Sequence, residues 1–270
     1  MGQTETSEES TIDVVQRPIF DAHFHIIDPE FDLIGNDGYF PPTFTAGDYS
    51  ERGSSMNIVG GAIVSGSFQG FDQKYLEHSL AVLGSNFVGV TQLPATVSDE
   101  EILRLDRIGV RAIRFNVRRG GSESTDELDH FARRVHEVAG WHTELYADAS
   151  TLGDLVDVIA ALPSASIDHL GLSAEGLATL LKLVDSGVRV KATGFGRVKL
   201  DVAATLRAVC DANPRALMFG SDLPSTRADR PFHEDDLGVL ADAVGEQHLD
   251  AVLRDNAVEF YRLPAVTVPT

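Results

Sequence analysis

Residues 18–30 read PIFDAHFHIIDPE: an apolar run, two histidines two positions apart, and a proline where the strand pattern stops. No glycine follows the run, whereas a doubly wound nucleotide-binding sheet normally places a glycine-rich phosphate loop after its first strand. Seven further strand-like runs come after it: NIVGGAIVS (57–65), FVGVTQL (87–93), VRAIRFN (110–116), HTELYAD (142–148), ASIDHLG (165–171), VRVKATG (188–194) and ALMFGSD (216–222). Each precedes a segment with helical spacing. Eight such alternations are the count that a barrel of eight βα units requires. The expected fold class is therefore α/β, a single-domain (β/α)8 TIM barrel over residues 12–270. A polar, acidic tail at residues 1–11, MGQTETSEEST, is expected to be disordered.

Helix signals agree with this count. In SDEEILRLDRIG, Ser98 can cap and Glu101 sits at the third helical position, as in a capping box. In TDELDHFARRVHEVAG, Thr125 is the expected cap and Gly140 the stop. QHLDAVLRDNAVEFYRL reads as the last helix, with Leu249, Val252, Leu253 and Val258 towards the core. Segment 28–56, with Pro29, Pro41 and Pro42, reads as a long active-face loop holding a short helix near 45–52. GGSES at 120–124 lacks the Lys-Ser/Thr ending of a P-loop.

Composition narrows the partners. The chain has 270 residues, 43% of them hydrophobic, enough for a full core. Lys and Arg number 22 against 41 Asp and Glu, a formal charge of −19 that repels polyphosphate and argues against nucleic acid or an anionic membrane. One cysteine, Cys210, cannot form an internal disulfide, and no early apolar stretch follows a basic region. The expectation is a cytoplasmic protein without a membrane span; homo-oligomerisation stays open.

Alternation places His23, His25 and Asp21 on one face of the first strand. The histidines fall at its C-terminal end, where barrel enzymes assemble their sites. Barrel closure makes the eighth strand the neighbour of the first, so FGSD brings Asp222 beside them, and IDHLG adds His169 at the same rim. One strand-end histidine is commonly structural; three converging with a carboxylate are not. His78, His130, His136, His142, His233 and His248 read as surface residues.

The His-x-His of strand 1, IDHLG of strand 6, VKATG of strand 7 and FGSDLP of strand 8 together resemble the amidohydrolase superfamily. GVRAIRFN at 109–116 and the terminal NAVEFYRL resemble its 2-pyrone-4,6-dicarboxylate lactonase and sugar-lactonase branch. The resemblance implies a catabolic hydrolase that opens a small cyclic ester, and the residues allow that chemistry. Asp222 could take a proton from water and return it to the leaving oxygen, while His23, His25 and His169 polarise the carbonyl. No cofactor is needed on this favoured reading. A single divalent metal such as zinc, held by His23, His25 and Asp222, is the rival mechanism. Many superfamily members bind metal through the strand-1 pair, a strand-5 histidine and the strand-8 aspartate, and those with two metals add a strand-4 lysine; LYAD and IRFN lack that histidine and that lysine here. A nonoxidative decarboxylase on the same scaffold, or a catalytically silent binder of an acidic metabolite, are the alternatives. Lys191 on strand 7 reads as an ion pair inside the barrel.

Positive charge on the active face of an acidic protein marks an anionic substrate. Arg114, Arg118, Arg119, Arg197, Arg227 and Arg230 lie at or after strands 4, 7 and 8. Each guanidinium could hold a substrate carboxylate. The resemblance singles out Arg114, Arg197, Tyr146 and Ser67 as substrate contacts, with Arg118 and Arg119 less closely aligned. Gln69 lies in the same loop as Ser67. Cys210, beside Leu206 and Val209 on one helix face, and Trp141 read as packing residues.

Overall fold

Every residue of the first strand, Ile19–Phe24, is buried in the computed structural model, which describes residues 14–264. The disordered tail expected at 1–11 lies outside the described residues. The strands are β1 (Ile19–Phe24), β2 (Ile58–Val64), β3 (Phe87–Thr91), β4 (Val110–Phe115), β5 (His142–Leu145), β6 (Ala165–Ile167), β7 (Arg189–Ala192) and β8 (Leu217–Phe219). They pair in parallel in that order, each falling within one of the eight runs read from the sequence. Backbone hydrogen bonds from Asp222 N to His23 O and from His25 N to Leu223 O, both 2.7 Å, draw β8 against β1. The fold is a single-domain (β/α)8 barrel.

The helices are α1 (Ala46–Arg52), α2 (Lys74–Leu83), α3 (Asp99–Arg107), α4 (Leu128–Ala139), α5 (Leu155–Ala160), α6 (Leu177–Asp185), α7 (Val202–Ala212), α8 (Asp235–Val244), α9 (Glu246–Asp250) and α10 (Asn256–Phe260). Helix α1 carries a full capping box, with Thr45 Oγ1 accepting from Asp48 N and Asp48 Oδ2 accepting from Thr45 N. Ser98 caps α3 as expected, but the Glu101 carboxylate turns to Arg104 instead of closing the box. The cap expected at Thr125 is one residue early: Ser124 caps a short 3-10 turn, Thr125–Glu127, and α4 begins after it. Gly140 ends α4 at φ 69°, a conformation that favours glycine. Between α9 and α10 lies a π turn, Ala251–Asp255, after which Asn256 donates to Pro214 O and Leu217 O. That contact docks the last helix beneath β8.

Two apolar layers result. Ile63, Ile113, Leu145, Ile167 and Val190 face outwards and pack under helix residues such as Leu76, Leu105, Val135, Leu180 and Leu206. Phe20, Ala22, Val64, Val90 and Met218 fill the interior, closed below by Tyr261. Each fully buried large aliphatic or aromatic side chain contributes about 1.5–3 kcal/mol. Cys210 and Trp141 belong to the outer layer, as read from the sequence.

Strict alternation fails in β1. Asp21 stands opposite Gly61 and Phe24 opposite Ile63, so three steps along β1 match two along β2. A one-residue bulge of this kind reverses the facing of everything after it. Phe20 and Ala22 point inwards before it, and His23 and His25 at the rim after it. Asp21 therefore does not share their face. It accepts from Tyr49 of α1 and from Ser221 N and Oγ, joining β1 to the end of β8.

That junction leaves no room for a side chain at Gly220. A Cβ there would lie 2.7 Å from His23 Cβ and 2.8 Å from His23 N. Gly220→Ala is expected to lower the melting temperature by about 5 °C, from overpacking of about 2 kcal/mol, and to reduce turnover by displacing His23. Differential scanning fluorimetry with parallel rate measurement checks this; wild-type behaviour in both would refute the tight closure.

Candidate active site

The rim at the C-terminal ends of the strands gathers His23, His25, His169 and Asp222, all buried. His23 lies edge-on to His25 and His169, with ring centroids 5.1 and 4.8 Å away. Asp222 Oδ1 faces His23 Nε2 at 3.9 Å and His25 Nε2 at 3.7 Å. His25 uses its Nδ1–H on Val64 O at 2.7 Å, so its Nε2 presents a lone pair. Two of the four residues sit in left-handed backbone, His169 at φ 52° and Asp222 at φ 61°. Non-glycine residues held this way store strain and cluster at functional sites. Gly194 (φ +63°) shapes the same rim, since a Cβ there would lie 2.5 Å from His169 Nδ1.

Above them opens a small cleft lined by His25, Ser67, Arg114, Arg119, Tyr146, His169, Arg197 and Arg227 among others. His23 and Asp222 form the layer beneath its floor. Of the residues proposed from the sequence as substrate contacts, Arg118 does not line the cavity; it is exposed, its charge near Asp148. Arg230 pairs with Asp236, and Gln69 bridges Gly66 N and Ile26 O, so neither reaches the cavity.

Ion pairing divides the remaining arginines. Arg114 donates to Asp168 Oδ2 from Nε (3.2 Å) and Nη2 (2.7 Å), and to Ser65 O from Nη1. Arg197 clasps Asp222 Oδ2 through Nε and Nη2 and reaches Thr226 O. Arg119 has no carboxylate partner among the described residues. Arg227 lies over the Tyr39 ring and donates to Asn36 O. Burial and then the Arg119 charge push the Arg227 guanidinium below its ordinary value, so an anion beside these two would be stabilised.

Asp168 was not singled out in the sequence, although it precedes His169 in the same motif. Strand β6 ends there, and its carboxylate turns into the barrel. His142 also differs from expectation: it is buried at the lower end of β5, with Nε2 3.1 Å from Glu144 Oε1. Glu144 accepts from Tyr261 OH at 2.6 Å and from Lys191 Nζ, confirming the ion pair expected of Lys191. Glu144 and Lys191 face inwards because their outward neighbours, Leu145 and Val190, fill the layer under the helices.

Burial raises the Asp222 carboxyl, but Arg197 and then His169 outweigh it and hold it well below the usual carboxylate range. Burial, then the Arg197 charge, lowers His169 to about 3. Burial, then Lys191, holds His23 well below its ordinary value, and burial lowers His142. Below pH 6.5 the unfolded chain's histidines take up protons that these three refuse when folded, so stability decreases as the pH is lowered. Asp21, raised by burial to about 6, acts oppositely between 3.8 and 6. Three groups against one predict a melting temperature at pH 5 below that at pH 7 by about 5 °C or more. An unchanged or higher value at pH 5 would contradict the neutral histidines.

Two sets of donor atoms lie close enough to hold an ion, each within 4.8 Å: His23, His25 and Asp222, and His23, Asp168 and His169. The chemistry of His23 does not fit the role expected in the first set. Its Nδ1 faces the Lys191 ammonium at 3.4 Å, which can only donate. A metal-binding histidine instead gives its second N–H to a carboxylate or carbonyl, as His25 does; Asp168 Oδ1 lies 3.5 Å from the His23 Nδ1 but makes no hydrogen bond to it.

A nearly closed eight-stranded barrel with histidines and an aspartate converging at its C-terminal rim defines the class of α/β-barrel enzymes. The amidohydrolase family pattern matches residues 20–263, and the chain belongs to that family of hydrolases. It is 26% identical over 252 residues to 2-pyrone-4,6-dicarboxylate hydrolase of Comamonas testosteroni, covering 83% of this chain and 82% of the relative. To 4-sulfomuconolactone hydrolase of Rhizobium radiobacter it is 25% identical over 260 residues, covering 89% and 87%. A crystal structure of an Agrobacterium tumefaciens protein superposes with a TM-score of 0.81 at 20% identity, over 92% of this chain and 97% of that one. No helix among the described residues is long and apolar enough to cross a membrane.

Proposed function

We propose that the protein hydrolyses a small lactone carrying at least one carboxylate, with Asp222 as general base and then general acid. The observation that carries this reading is Asp222 Oδ1, a buried oxygen without a hydrogen-bond partner among the described residues and faced by two imidazoles. A buried acceptor left in this way is poised for a reacting partner. The relatives' lactone hydrolysis supports the same chemistry.

Water between Asp222 Oδ1 and His25 Nε2 gives its proton to Asp222 as its oxygen adds to the ester carbon. The oxyanion that forms is stabilised by His23 and His169. Its collapse breaks the ring C–O bond, and Asp222 returns the proton to the leaving oxygen, yielding a hydroxyl and a carboxylic acid that releases its proton to solvent as it becomes a carboxylate. A carboxylate of the substrate sits between Arg119 and Arg227, the cavity guanidiniums with no carboxylate partner among the described residues. Arg114, Tyr146 and Ser67 shape the wall. Arg197 covers Asp222, and a substrate carboxylate competes with Asp222 for it. No step is assigned to a metal, because the His23 ring does not fit as a ligand.

The test is ring opening of pyrone dicarboxylates, muconolactones and aldonolactones, followed with a pH indicator before and after exhaustive chelation. Turnover of a carboxylated ring that survives chelation is expected. Activity lost on chelation and restored by zinc would overturn the metal-free mechanism. Release of carbon dioxide would favour a decarboxylase, and silence throughout would favour a binder.

A further inference from the structure

Beneath the rim a chain of buried polar groups crosses the barrel interior from His142 through Glu144 and Lys191 to His23. Glu144 Oε1 accepts from Tyr261 OH and contacts His142, and its Oε2 holds Lys191 Nζ. Lys191 lies 3.9 Å from Asp168 Oδ1 and 3.4 Å from His23 Nδ1, with the Tyr261 ring on its other side. Lys191 and Glu144 are fully buried, where a mispaired charge is costly.

We propose that Lys191 is a positioning residue: anchored by Glu144, it fixes His23 in the tautomer with a bare Nδ1 and an Nε2–H aimed at the reacting carbonyl oxygen. The ring has two candidates for Nδ1. An ammonium can only donate, which requires a lone pair; Asp168 Oδ1, 3.5 Å away, would require a proton. The second arrangement is not made. Asp168 Oδ1 has no hydrogen-bond partner among the described residues, while Nδ1 is in hydrogen-bond geometry with Lys191. Burial and the Lys191 charge keep the ring neutral, so its single proton resides on Nε2. That atom too has no protein partner among the described residues and lies on the Asp222 side. Lys191 thus converts His23 into a hydrogen-bond donor and removes the lone pair a metal would need. The purpose assigned to the donor rests on the lactonase reading; the tautomer does not.

The experiment uses the intact protein labelled with 15N-histidine, with the His23 resonances assigned by their loss in His23→Gln. Protonated and bare ring nitrogens resonate in separate ranges. Wild type is expected to show Nε2 protonated and Nδ1 bare, and the opposite pattern overturns the proposal even if Lys191→Met does not fold. In Lys191→Met the proton is expected to move to Nδ1, facing Asp168. Turnover then falls about 100-fold in kcat, the loss typical of one removed oxyanion donor, with KM changed less than about threefold. Zinc alone, added in equilibrium dialysis, binds more tightly to the variant than to wild type. A variant that keeps the wild-type tautomer overturns the proposal, whatever its activity. A wild-type protein with the expected tautomer but no lactone turnover would refute the functional reading and leave this one standing.

Discussion

Asp222→Asn is expected to lower the turnover of a carboxylated lactone by about 10³-fold, at the middle of the range for loss of a general base, while substrate still binds. The amide is nearly isosteric and keeps an oxygen towards Arg197, so the left-handed turn at 222 and the closure of β8 on β1 need not change. It cannot take the proton from water. It also weakens the clasp of Arg197, which in wild type holds Oδ2 through two nitrogens. A freed guanidinium adds a cation to the cavity, so KM for a carboxylated ring should stay level or fall. This combination, kcat lost and binding kept or improved, separates a catalytic carboxylate from a structural one. Stopped-flow rates with calorimetric binding of the ring-opened product would show it. Retention of more than about a tenth of wild-type kcat would remove Asp222 from the base role.

Arg114→Met is expected to destabilise the fold even without ligand. Asp168 is fully buried; burial raises its carboxyl, and Arg114, then Lys191, bring it below its ordinary value. Removing one partner of a buried ion pair leaves the other uncompensated, at a cost of about 3–5 kcal/mol. For a chain of this size that is on the order of 10 °C in melting temperature. Arg114→Met combined with Asp168→Asn should recover most of the loss, because the second change removes the stranded charge. A residue whose only task was to bind substrate would raise KM and leave melting unchanged. A shift below about 2 °C would return Arg114 to that class.

The contrast between Arg114 and Arg119 shows where sequence reading ends. Both are arginines at the end of β4 or in its loop, and resemblance favours Arg114 as the substrate contact. Which one is free depends on Asp168, 54 positions away, turning inwards beside Arg114. The bulge in β1 is a second case. The sequence DAHFH alternates without interruption, and only pairing against β2 forces the extra residue that separates Asp21 from the two histidines. His142 is a third, since a strand-opening histidine is indistinguishable from a surface one until Glu144 and Tyr261 enclose it.

Local patterns were sufficient for the eight strands, their order, the glycine stop of α4 and the gathering of His23, His25, His169 and Asp222 at one rim. These follow from periodicities of 2 and 3.6 and from barrel closure, which need only neighbouring residues and a strand count, except that the inward facing of His23 and His25 also needs the β1 bulge. The pairing of charges did not follow. Arg114 with Asp168, Arg197 with Asp222 and Lys191 with Glu144 are contacts across strands, set by side-chain direction and by the cost of leaving a buried charge alone. The sequence alone therefore determined the barrel and which residues could react; the tertiary structure decided which charges neutralise one another, and so which remain for a substrate.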